Sequence, residues 1–408
     1  MKCRHCKNNL KVKFINLGFA PPSNAFVNMP ELNESEKYFP LRVMVCKNCW
    51  LVQTEDYCSA EYLFTNEYAY FSSFSKSWLK HSKDFVDMIC LIMELNRKSF
   101  VVEIASNDGY LLKNFVNKKI PCLGIEPTLN TSQIAKKKGI DVIEDFFTSR
   151  IAKVVKKNYG LADLIIANNV YAHVPNINDF TKALKILIKP EGVITIEFPH
   201  LMELIKGRQF DTIYHEHYSY FSLNTVNRIF KKEKLKIFNV EKLSTHGGSL
   251  RIYAVHEENE INVSSNIRKI LLEEKEFGMQ NIKLYTSFQE KIYNIKNNLL
   301  KFLINAKENN KRVVGYGAAA KGNTLLNFAG IGPDLLHCIY DASKAKQGKL
   351  TPGTHIPILS PSKLAFDKAD YILILPWNIT DEIIEYVQGL NNRKLKFICA
   401  IPELKEIK

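Results

Sequence analysis

The sequence of 408 residues lacks an uninterrupted apolar run of membrane-spanning length, which takes about 20 residues. Its longest apolar stretch, around residues 89–93, is soon broken by Glu94. Residues 1–13 lack the apolar core of a secretory signal peptide. Internal repeats and low-complexity tracts are missing as well. We therefore expect a cytoplasmic globular protein with no membrane partner.

A disulfide framework is also missing, because the nine cysteines are odd in number and scattered over a long chain. Four of them form two CxxC pairs, Cys3-Arg-His-Cys6 and Cys46-Lys-Asn-Cys49. Two such turns give the tetrahedral set of thiolates that Zn²⁺ prefers. The pattern predicts a closed, structural zinc site on these four cysteines, with His5 as a weaker ligand candidate. Two unrelated buried cysteine pairs are the alternative.

Acidic residues are fewer than basic ones, and the net charge is +14. Such an excess can indicate a nucleic-acid partner. However, the segment between the cysteine pairs has few basic clusters and contains Pro21-Pro22-Ser23-Asn24, so it does not resemble a recognition helix. We expect no nucleic-acid partner. A basic cleft would suit a small polyanionic ligand.

Strand and helix patterns alternate from residue 100 onward. Buried-strand runs occur at residues 100–104, 122–125, 141–143, 164–167 and 193–198, and residues 110–116 have a helical pattern. This alternation predicts a parallel sheet covered by helices on both faces. Ligands of such sheets bind outside the carboxyl ends of the strands.

A cofactor loop follows the first of these strands. Its residues Glu103, Ala105, Asn107 and Gly109 form a degraded ExGxGxG pattern, as found in class I methyltransferases. Small residues there let the backbone approach a cofactor. Glu126 ends the second strand, where an acid can bind both ribose hydroxyls. A surface carboxylate at a strand end is the alternative for Glu126.

Five stretches carry a more specific resemblance: VEIASNDGYL from residue 102, NNVYAHVP from 168, DTIYHEHYSYF from 211, GGSLR from 247 and GYGAAAKGN from 315. With the CxxC pairs, they resemble, in order and over nearly the whole chain, the sugar C-methyltransferases that alkylate C3 of nucleotide-linked ketosugars. The commonest departure is Ala105, where the family usually has glycine; alanine leaves room, and only cofactor affinity is affected.

The resemblance implies an α/β protein in three parts. A small N-terminal zinc module (residues 1–68) precedes a class I methyltransferase core with a doubly wound sheet (69–256). A C-terminal Rossmann-like domain (257–408) follows. The protein is expected to act as a monomer and to bind its nucleotide-diphosphate ketosugar in the cleft between the two larger parts.

The resemblance also implies two sets of binding residues. The set for S-adenosylmethionine is Glu103, Ala105, Ser106, Asn107, Gly109, Glu126 and Asn168. The set for the substrate is Tyr68, Tyr70, Asn169, Arg251 and Lys321. For the two tyrosines, an aromatic stretch that docks the zinc module is nearly as good an interpretation.

Methylation beside a ketone needs a base of near-neutral pKa and a donor for the enolate oxygen. Tyr214-x-Glu216-His217 supplies a phenol, a carboxyl group and an imidazole within four residues. The family's base maps onto His217, its partners onto Tyr214 and Glu216, and a further active-site histidine onto His173. Without the resemblance, His215 is an equal candidate, and a metal site or polar helix start is possible. An unperturbed histidine base would titrate near pH 6.5.

The C-terminal part begins with a helix-prone region at residues 264–310. Gly315, Gly317 and Ala320 then form a GxGxxA pattern after a strand, and Asp341 ends the next strand. Taken alone, this fingerprint indicates NAD and an NAD-dependent nucleotide-sugar epimerase or dehydratase. The resemblance implies instead that the loop grips the nucleotide diphosphate, with Lys321 and Arg251 as phosphate contacts.

Overall fold

The computed structural model describes residues 1–64, 71–390 and 395–407. Its β-strands are β1 (Val12–Ala20), β2 (Phe39–Val45), β3 (Val52–Thr54), β4 (Val101–Ile104), β5 (Cys122–Ile125), β6 (Asp141–Ile143), β7 (Ala162–Asn168), β8 (Ile188–Pro199), β9 (Ser219–Tyr220), β10 (Leu235–Leu243), β11 (Ser249–His256), β12 (Val313–Tyr316), β13 (Ile339–Tyr340), β14 (Ile358–Leu359), β15 (Tyr371–Ile374), β16 (Lys396–Cys399) and β17 (Lys405–Ile407).

The α-helices are α1 (Ala60–Leu63), α2 (Lys76–Ile92), α3 (Leu112–Asn117), α4 (Leu129–Lys137), α5 (Ser149–Tyr159), α6 (Ile177–Leu187), α7 (Leu201–Lys206), α8 (Leu223–Lys232), α9 (Ser265–Phe277), α10 (Ile282–Thr286), α11 (Phe288–Glu308), α12 (Ala320–Ala329) and α13 (Thr380–Leu390). Within the described ranges, no helix combines the length and apolarity that a membrane crossing requires.

The central sheet has seven strands in the order β10-β11-β8-β7-β4-β5-β6. Strands β4 to β8 pair in parallel, whereas β11 runs antiparallel to β8 and β10 antiparallel to β11. All four residues of β4 are buried, as expected for a strand covered by helices on both faces. The predicted doubly wound sheet is confirmed, and β5 and β6 have the predicted bounds.

The covering helices begin and end where their sequence specifies. In α5, Thr148 accepts a hydrogen bond from the Ile151 backbone N–H at 3.4 Å, and Gly160 ends the helix with a φ of 91°. Helix α3 begins two residues later than the predicted helix, because Asn107 and Gly109 take positive φ angles of 48° and 74° and turn the chain before it.

The C-terminal sheet has six strands in the order β14-β13-β12-β15-β16-β17. All neighbours are parallel except β16 and β17. The predicted helical region becomes α9, α10 and α11, and α12 follows the Gly315 loop. This is the predicted Rossmann-like arrangement of a strand, a glycine-bearing loop and a helix.

The N-terminal sheet is antiparallel and has the order β1-β2-β3-β9. Its last strand comes from the middle of the chain, since Val52 pairs with Tyr220 and Gln53 with Ser219. The N-terminal module therefore closes its sheet with a strand that begins two residues after His217. A division of the chain into consecutive residue ranges does not show that β9 belongs to the N-terminal sheet.

Candidate functional site

A cavity of about 500 Å³ lies between the carboxyl ends of the central strands and the start of α12. Nine of the predicted residues line it: Ala105, Asn107, Glu126, Asn168, Asn169, His173, Tyr214, His217 and Lys321. The structure thus brings residues from both larger sheets to one space. Glu103, Ser106, Gly109, Glu216 and Arg251 lie outside its lining.

The loop after β4 is shaped by left-handed backbone conformations. Ala105 has a φ of 55°, a conformation that costs an alanine roughly 1–2 kcal/mol and glycine little. At Gly109, a Cβ atom would lie 2.4 Å from Ile140 Cδ1, so only glycine fits. Ala105 therefore adopts the same backbone bend that glycine would, but at a higher conformational free energy.

Glu126 follows β5 at the cavity wall and is 4% exposed. Its carboxylate accepts hydrogen bonds from the backbone N–H groups of Asn107 at 2.9 Å and Thr128 at 3.0 Å. Burial raises the pKa of this carboxyl group, and the hydrogen bonds partly offset that rise. The Thr128 hydroxyl also donates to this carboxylate, which leaves one of its roughly four lone-pair sites for a ribose hydroxyl.

Two asparagines that line the same cavity as Glu126 have buried amide atoms without partners among the described residues. The side-chain nitrogen and oxygen of Asn168 and Asn169 make no hydrogen bond in the part of the chain that the structure describes. Buried polar atoms are normally paired, and both residues line the cavity. The wall therefore has unused polar groups suited to a ligand such as S-adenosylmethionine.

Of the remaining predicted cofactor residues, Glu103 and Ser106 are completely buried. Burial raises the pKa of Glu103 well above its ordinary value. The Ser106 side chain packs on the backbone of β5, since a Cβ atom on Gly124 would lie 2.4 Å from Ser106 Oγ. Both residues lie behind the cavity wall.

The orientation of His217 leaves one ring nitrogen available as an acceptor. The Nδ1–H group donates to the Thr212 carbonyl oxygen at 2.7 Å, because a carbonyl can only accept. In a neutral imidazole, Nε2 is then the acceptor. His217 lines the cavity, and the ring centroids of Tyr214 and His173 lie 4.0 and 4.6 Å from its own.

Burial disfavours the charged form of the two cavity histidines that the sequence predicted, His173 and His217. It lowers the pKa of His173 to about 4. The pKa of His217 lies well below its ordinary value, owing to burial and then to the neighbouring His173. The Nδ1–H group of His173 donates to the Glu216 carbonyl oxygen at 2.9 Å. Both imidazoles are therefore held neutral in fixed orientations.

Glu216 has the opposite behaviour, because burial raises the pKa of its carboxyl group to about 7. It is 1% exposed, and its Oε1 accepts a hydrogen bond from Asn24 Nδ2 at 3.0 Å. His215, the rival candidate from the sequence, lies outside the cavity lining, and its ring centroid is 5.9 Å from that of Phe39.

Lys321 lies in the first turn of α12 and contacts Trp377 and Asn378. Its ammonium group donates to Asn378 Oδ1 at 2.5 Å and lies 4.6 Å from the ring centroid of Trp377. Trp377 Nε1 donates to Asp211 Oδ2 at 2.7 Å. Burial lowers the pKa of Lys321 and raises that of Asp211 to about 6.

Arg251 is not brought to the cavity. Its guanidinium group, 4% exposed, pairs with Glu197 at 3.0 Å and Glu241 at 3.4 Å. These two carboxylates already neutralise it inside the central sheet. The structure thus gives this residue an internal partner set where the sequence predicted a phosphate contact.

Tyr68 and Tyr70, the predicted substrate tyrosines, lie outside the described residues.

The loop after β12 is built like the loop after β4. Asp341 accepts hydrogen bonds from the backbone N–H groups of Ala318 and Ser343, each at 2.7 Å. Here, however, a lysine lies beside the acid: Lys346 Nζ is 3.7 Å from Asp341 Oδ2 and donates to the Ala318 carbonyl at 2.8 Å. Lys346 lines the cavity, and Asp341 does not.

The cavity residues that sequence reasoning missed include Asn24, Trp78, His246 and Lys346. The His246 and Trp78 ring centroids are 5.2 Å apart. His246 directly precedes the GGSLR stretch, and this position was the one sequence signal that could have placed it at the site. No local pattern connects the other three to the site.

The four CxxC cysteines converge as predicted. Their Sγ atoms all lie within 4.8 Å of one another, and four thiolates around Zn²⁺ at 2.3 Å would be about 3.8 Å apart. Lys7 and Trp50, which follow the two pairs, have φ angles of 63° and 64°, so both turns have the same bend. His5 instead donates from Nδ1 to Asn178 Oδ1 at 2.8 Å.

Comparison with known sequences matches three family models. They are "Putative zinc binding domain" at residues 3–64, "Methyltransferase domain" at 82–239 and "C-methyltransferase C-terminal domain" at 244–402. The C-methyltransferase NovU of Streptomyces niveus is 32% identical over 406 residues, which cover 100% of this chain and 96% of that protein.

Solved structures give weaker likenesses. An S-adenosylmethionine-dependent methyltransferase from Clostridium acetobutylicum is 13% identical, with a TM-score of 0.36, and covers 44% of this chain and 92% of its own. A magnesium protoporphyrin IX methyltransferase from Synechocystis, solved with bound S-adenosylhomocysteine, is 14% identical, with a TM-score of 0.35. The match covers 44% of this chain and 84% of that protein.

Proposed function

The chain belongs to the C-methyltransferase family, and from that premise we propose that it methylates C3 of a nucleotide-linked 4-ketosugar. The coarser activity is established by the family: it is an S-adenosylmethionine-dependent C-methyltransferase with a zinc-binding N-terminal module. The substrate, the methylated carbon and the roles of individual residues are the proposal.

S-Adenosylmethionine supplies an electrophilic methyl group when it is bound. Glu126 would hold a ribose hydroxyl, and the backbone at Ala105 and Asn107 would approach it closely. The unpaired Asn168 amide would supply further polar contacts. Glu103, Ser106 and Gly109 would act from behind, by fixing the loop's path. All these proposed contacts to S-adenosylmethionine come from residues of the central sheet and its loops.

The proposed base is His217, and the orientation of its ring is the observation that carries the proposal. Nδ1–H is committed to Thr212 O, so Nε2 would take the proton from the carbon next to the ketone. The low pKa keeps the ring neutral at neutral pH. A base must be unprotonated to act, and this environment provides that form, although a pKa below the near-neutral value expected from the sequence makes Nε2 a weaker base.

Tyr214 and His173 flank His217 and would hold the enolate oxygen and the sugar. A phenol is a donor suited to a developing oxyanion. Glu216, whose carboxyl pKa is about 7, lies behind the cavity lining and would act on the sugar through Asn24, which it holds by a hydrogen bond. Environments that push neighbouring pKa values apart are typical of acid–base sites.

The nucleotide diphosphate would lie at the start of α12, where Lys321 lines the cavity. A helix N-terminus and a lysine both favour phosphate. Asn169 would contact the sugar, whereas Arg251 has its own carboxylate partners. The rival NAD-dependent epimerase or dehydratase would use Asp341 for a ribose, but Lys346 lies beside that carboxylate.

Mass spectrometry tests the proposal directly. The protein is incubated with S-adenosylmethionine and a set of nucleotide 4-ketosugars, and a gain of one methylene in one of them is expected. Calorimetry with NAD serves as the matched control. Tight NAD binding without binding of S-adenosylmethionine, or no methylation of any ketosugar in the set, would contradict it.

A further inference from the structure

The segment at residues 21–24 connects the zinc-bearing module to the cavity. It follows β1 directly, and its last residue, Asn24, lines the cavity. β1 pairs with β2, whose C-terminal end leads straight into Cys46. The cysteine cluster and Asn24 therefore lie on one hairpin-based unit.

The Asn24 side chain has one orientation in this structure. Its Nδ2 donates to Glu216 Oε1 at 3.0 Å. The amide nitrogen therefore faces the Glu216 carboxyl group, and Oδ1 is the other end of the amide. The Oδ1 atom accepts no hydrogen bond from any residue within the described ranges. An acceptor is thus left over at the cavity wall.

Helix α12 holds this segment in place. Asn323 Nδ2 donates to the Ser23 carbonyl oxygen at 2.7 Å, and the hydroxyl groups of Ser23 and Thr324 are 3.3 Å apart. Thr324 Oγ1 also donates to the Ile213 carbonyl at 3.0 Å, just before Tyr214. The same helix therefore fixes the positions of Asn24 and of the segment with the proposed base.

We propose that Asn24 is a substrate-binding residue of the methyltransferase site, oriented by Glu216 and delivered by the zinc-bearing module. Its Oδ1 accepts a hydrogen bond from a hydroxyl group of the sugar ring. The module thereby has a direct part in substrate binding besides its structural zinc. This inference rests on the proposed ketosugar substrate.

Kinetics of the full-length, zinc-loaded protein test it with Asn24→Ala. We expect the KM for the ketosugar substrate to rise roughly 10- to 100-fold, since the hydrogen bond to the sugar is lost together with the part-buried side-chain bond to Glu216. The value of kcat, the affinity for S-adenosylmethionine and the zinc content stay near those of the wild type. A merely structural residue would not give this separation.

Asn28→Ala is the matched control, because Asn28 lies four residues further along the chain and, within the described ranges, its side chain bonds to exposed Glu31. Its KM should equal that of the wild type. An equal rise of KM in both variants, or no rise in Asn24→Ala, overturns the inference while wild-type methylation of the ketosugar leaves the proposed function standing. If the wild type methylates no ketosugar, the proposed function fails and this inference fails with it.

A swapped pair sharpens the test. Asn24→Asp alone puts two carboxyl groups face to face and should weaken substrate binding. In the double variant with Glu216→Gln, the amide at position 216 donates to the carboxyl group at position 24. The pair again has one amide and one carboxyl group, with the two positions exchanged. Recovery of ketosugar affinity relative to Asn24→Asp is expected, and absence of any recovery contradicts the proposed orientation.

Discussion

The loops after β4 and β12 have the same construction but different surroundings. In each, an acid at the end of the next strand accepts hydrogen bonds from two backbone N–H groups, one from the loop and one two residues beyond the acid. Glu126 binds Asn107 and Thr128, and Asp341 binds Ala318 and Ser343. Each loop keeps one glycine, Gly109 or Gly317, yet Asp341 lies outside the cavity lining and Glu126 lies in it.

The difference lies in the residue beside each acid. Lys346 pairs with Asp341, whereas Glu126 has the neutral Thr128 as its close neighbour. A carboxylate with a neutral neighbour can accept a ribose hydroxyl, and a carboxylate paired with lysine leaves a cation to face the ligand. The glycine pattern predicts how the backbone bends, and the groups around the acid decide what can bind.

Removing the proposed base, His217, gives the largest expected effect. His217→Ala should lower the turnover rate by about 10²–10⁴, while both ligands bind nearly as in the wild type because neither loop changes. Tyr214→Phe should cost about 10²–10³ if the phenol is an oxyanion donor. Steady-state kinetics and calorimetry measure both. Full activity in His217→Ala would move the base elsewhere.

The pH profile sharpens this first prediction. Since the pKa of His217 lies well below its ordinary value, the acidic limb of kcat/KM should fall below pH 6.5, where an unperturbed histidine titrates. The base is lost as the pH falls through the pKa of the folded protein. Because the Glu216 carboxyl group has a pKa of about 7, the profile is also measured in Glu216→Gln, and an acidic limb at or above pH 6.5 that persists there would contradict the buried, neutral imidazole.

The next largest effect compares the two acids. Glu126→Gln should weaken S-adenosylmethionine binding by roughly 10- to 100-fold, because a charged acceptor is lost. Asp341→Asn, the equivalent change in the other loop, should leave that affinity unchanged. Isothermal titration measures both. Equal losses in the two variants would remove the distinction between the loops.

A smaller effect is expected for the cation at α12. Lys321→Met should raise the KM for a nucleotide-linked substrate by about tenfold, the equivalent of 1.4 kcal/mol. The exposed Lys344, outside the cavity lining, provides the matched control Lys344→Met, whose KM should not change. A strong effect of the control would indicate a general influence of net charge.

The smallest effect concerns the one alanine in the loop after β4. Ala105→Gly relieves the left-handed backbone but gives the unfolded chain more freedom, so the free energy of unfolding should rise by no more than about 1 kcal/mol. Ala152→Gly, inside helix α5, should lower it by about 1 kcal/mol. Denaturant titration compares them. A clear loss of stability in Ala105→Gly would show that the bend is not strained.

Local sequence patterns predicted the parts of the molecule that are locally determined. The two CxxC turns and the strands β5 and β6 are such parts, since each follows from neighbouring residues. His217 and His215 could not be separated by sequence alone, because their surroundings come from distant segments. Only the fold shows Thr212 behind the one ring and Phe39 beside the other.

Long-range pairing explains the residues that were missed or placed differently. Asn24 meets Glu216 only because β1 and α12 pack together, and the sequence between them has no signal of that contact. Arg251 was expected at phosphate, but Glu197 on the neighbouring strand β8 neutralises it. Charge pairing across a sheet depends on strand order, which the sequence does not state locally.

The pairing of β3 with β9 has a consequence for the time at which the site forms. Val52 leaves the ribosome long before its partner Tyr220, so the N-terminal sheet cannot close until the first five strands of the central sheet have been synthesised. Contacts of such large separation are slow to form, and domains fold as the chain emerges. Since Tyr220 follows His217 by only three residues, we expect the closing strand and the segment with the proposed base to reach their places in the same folding step.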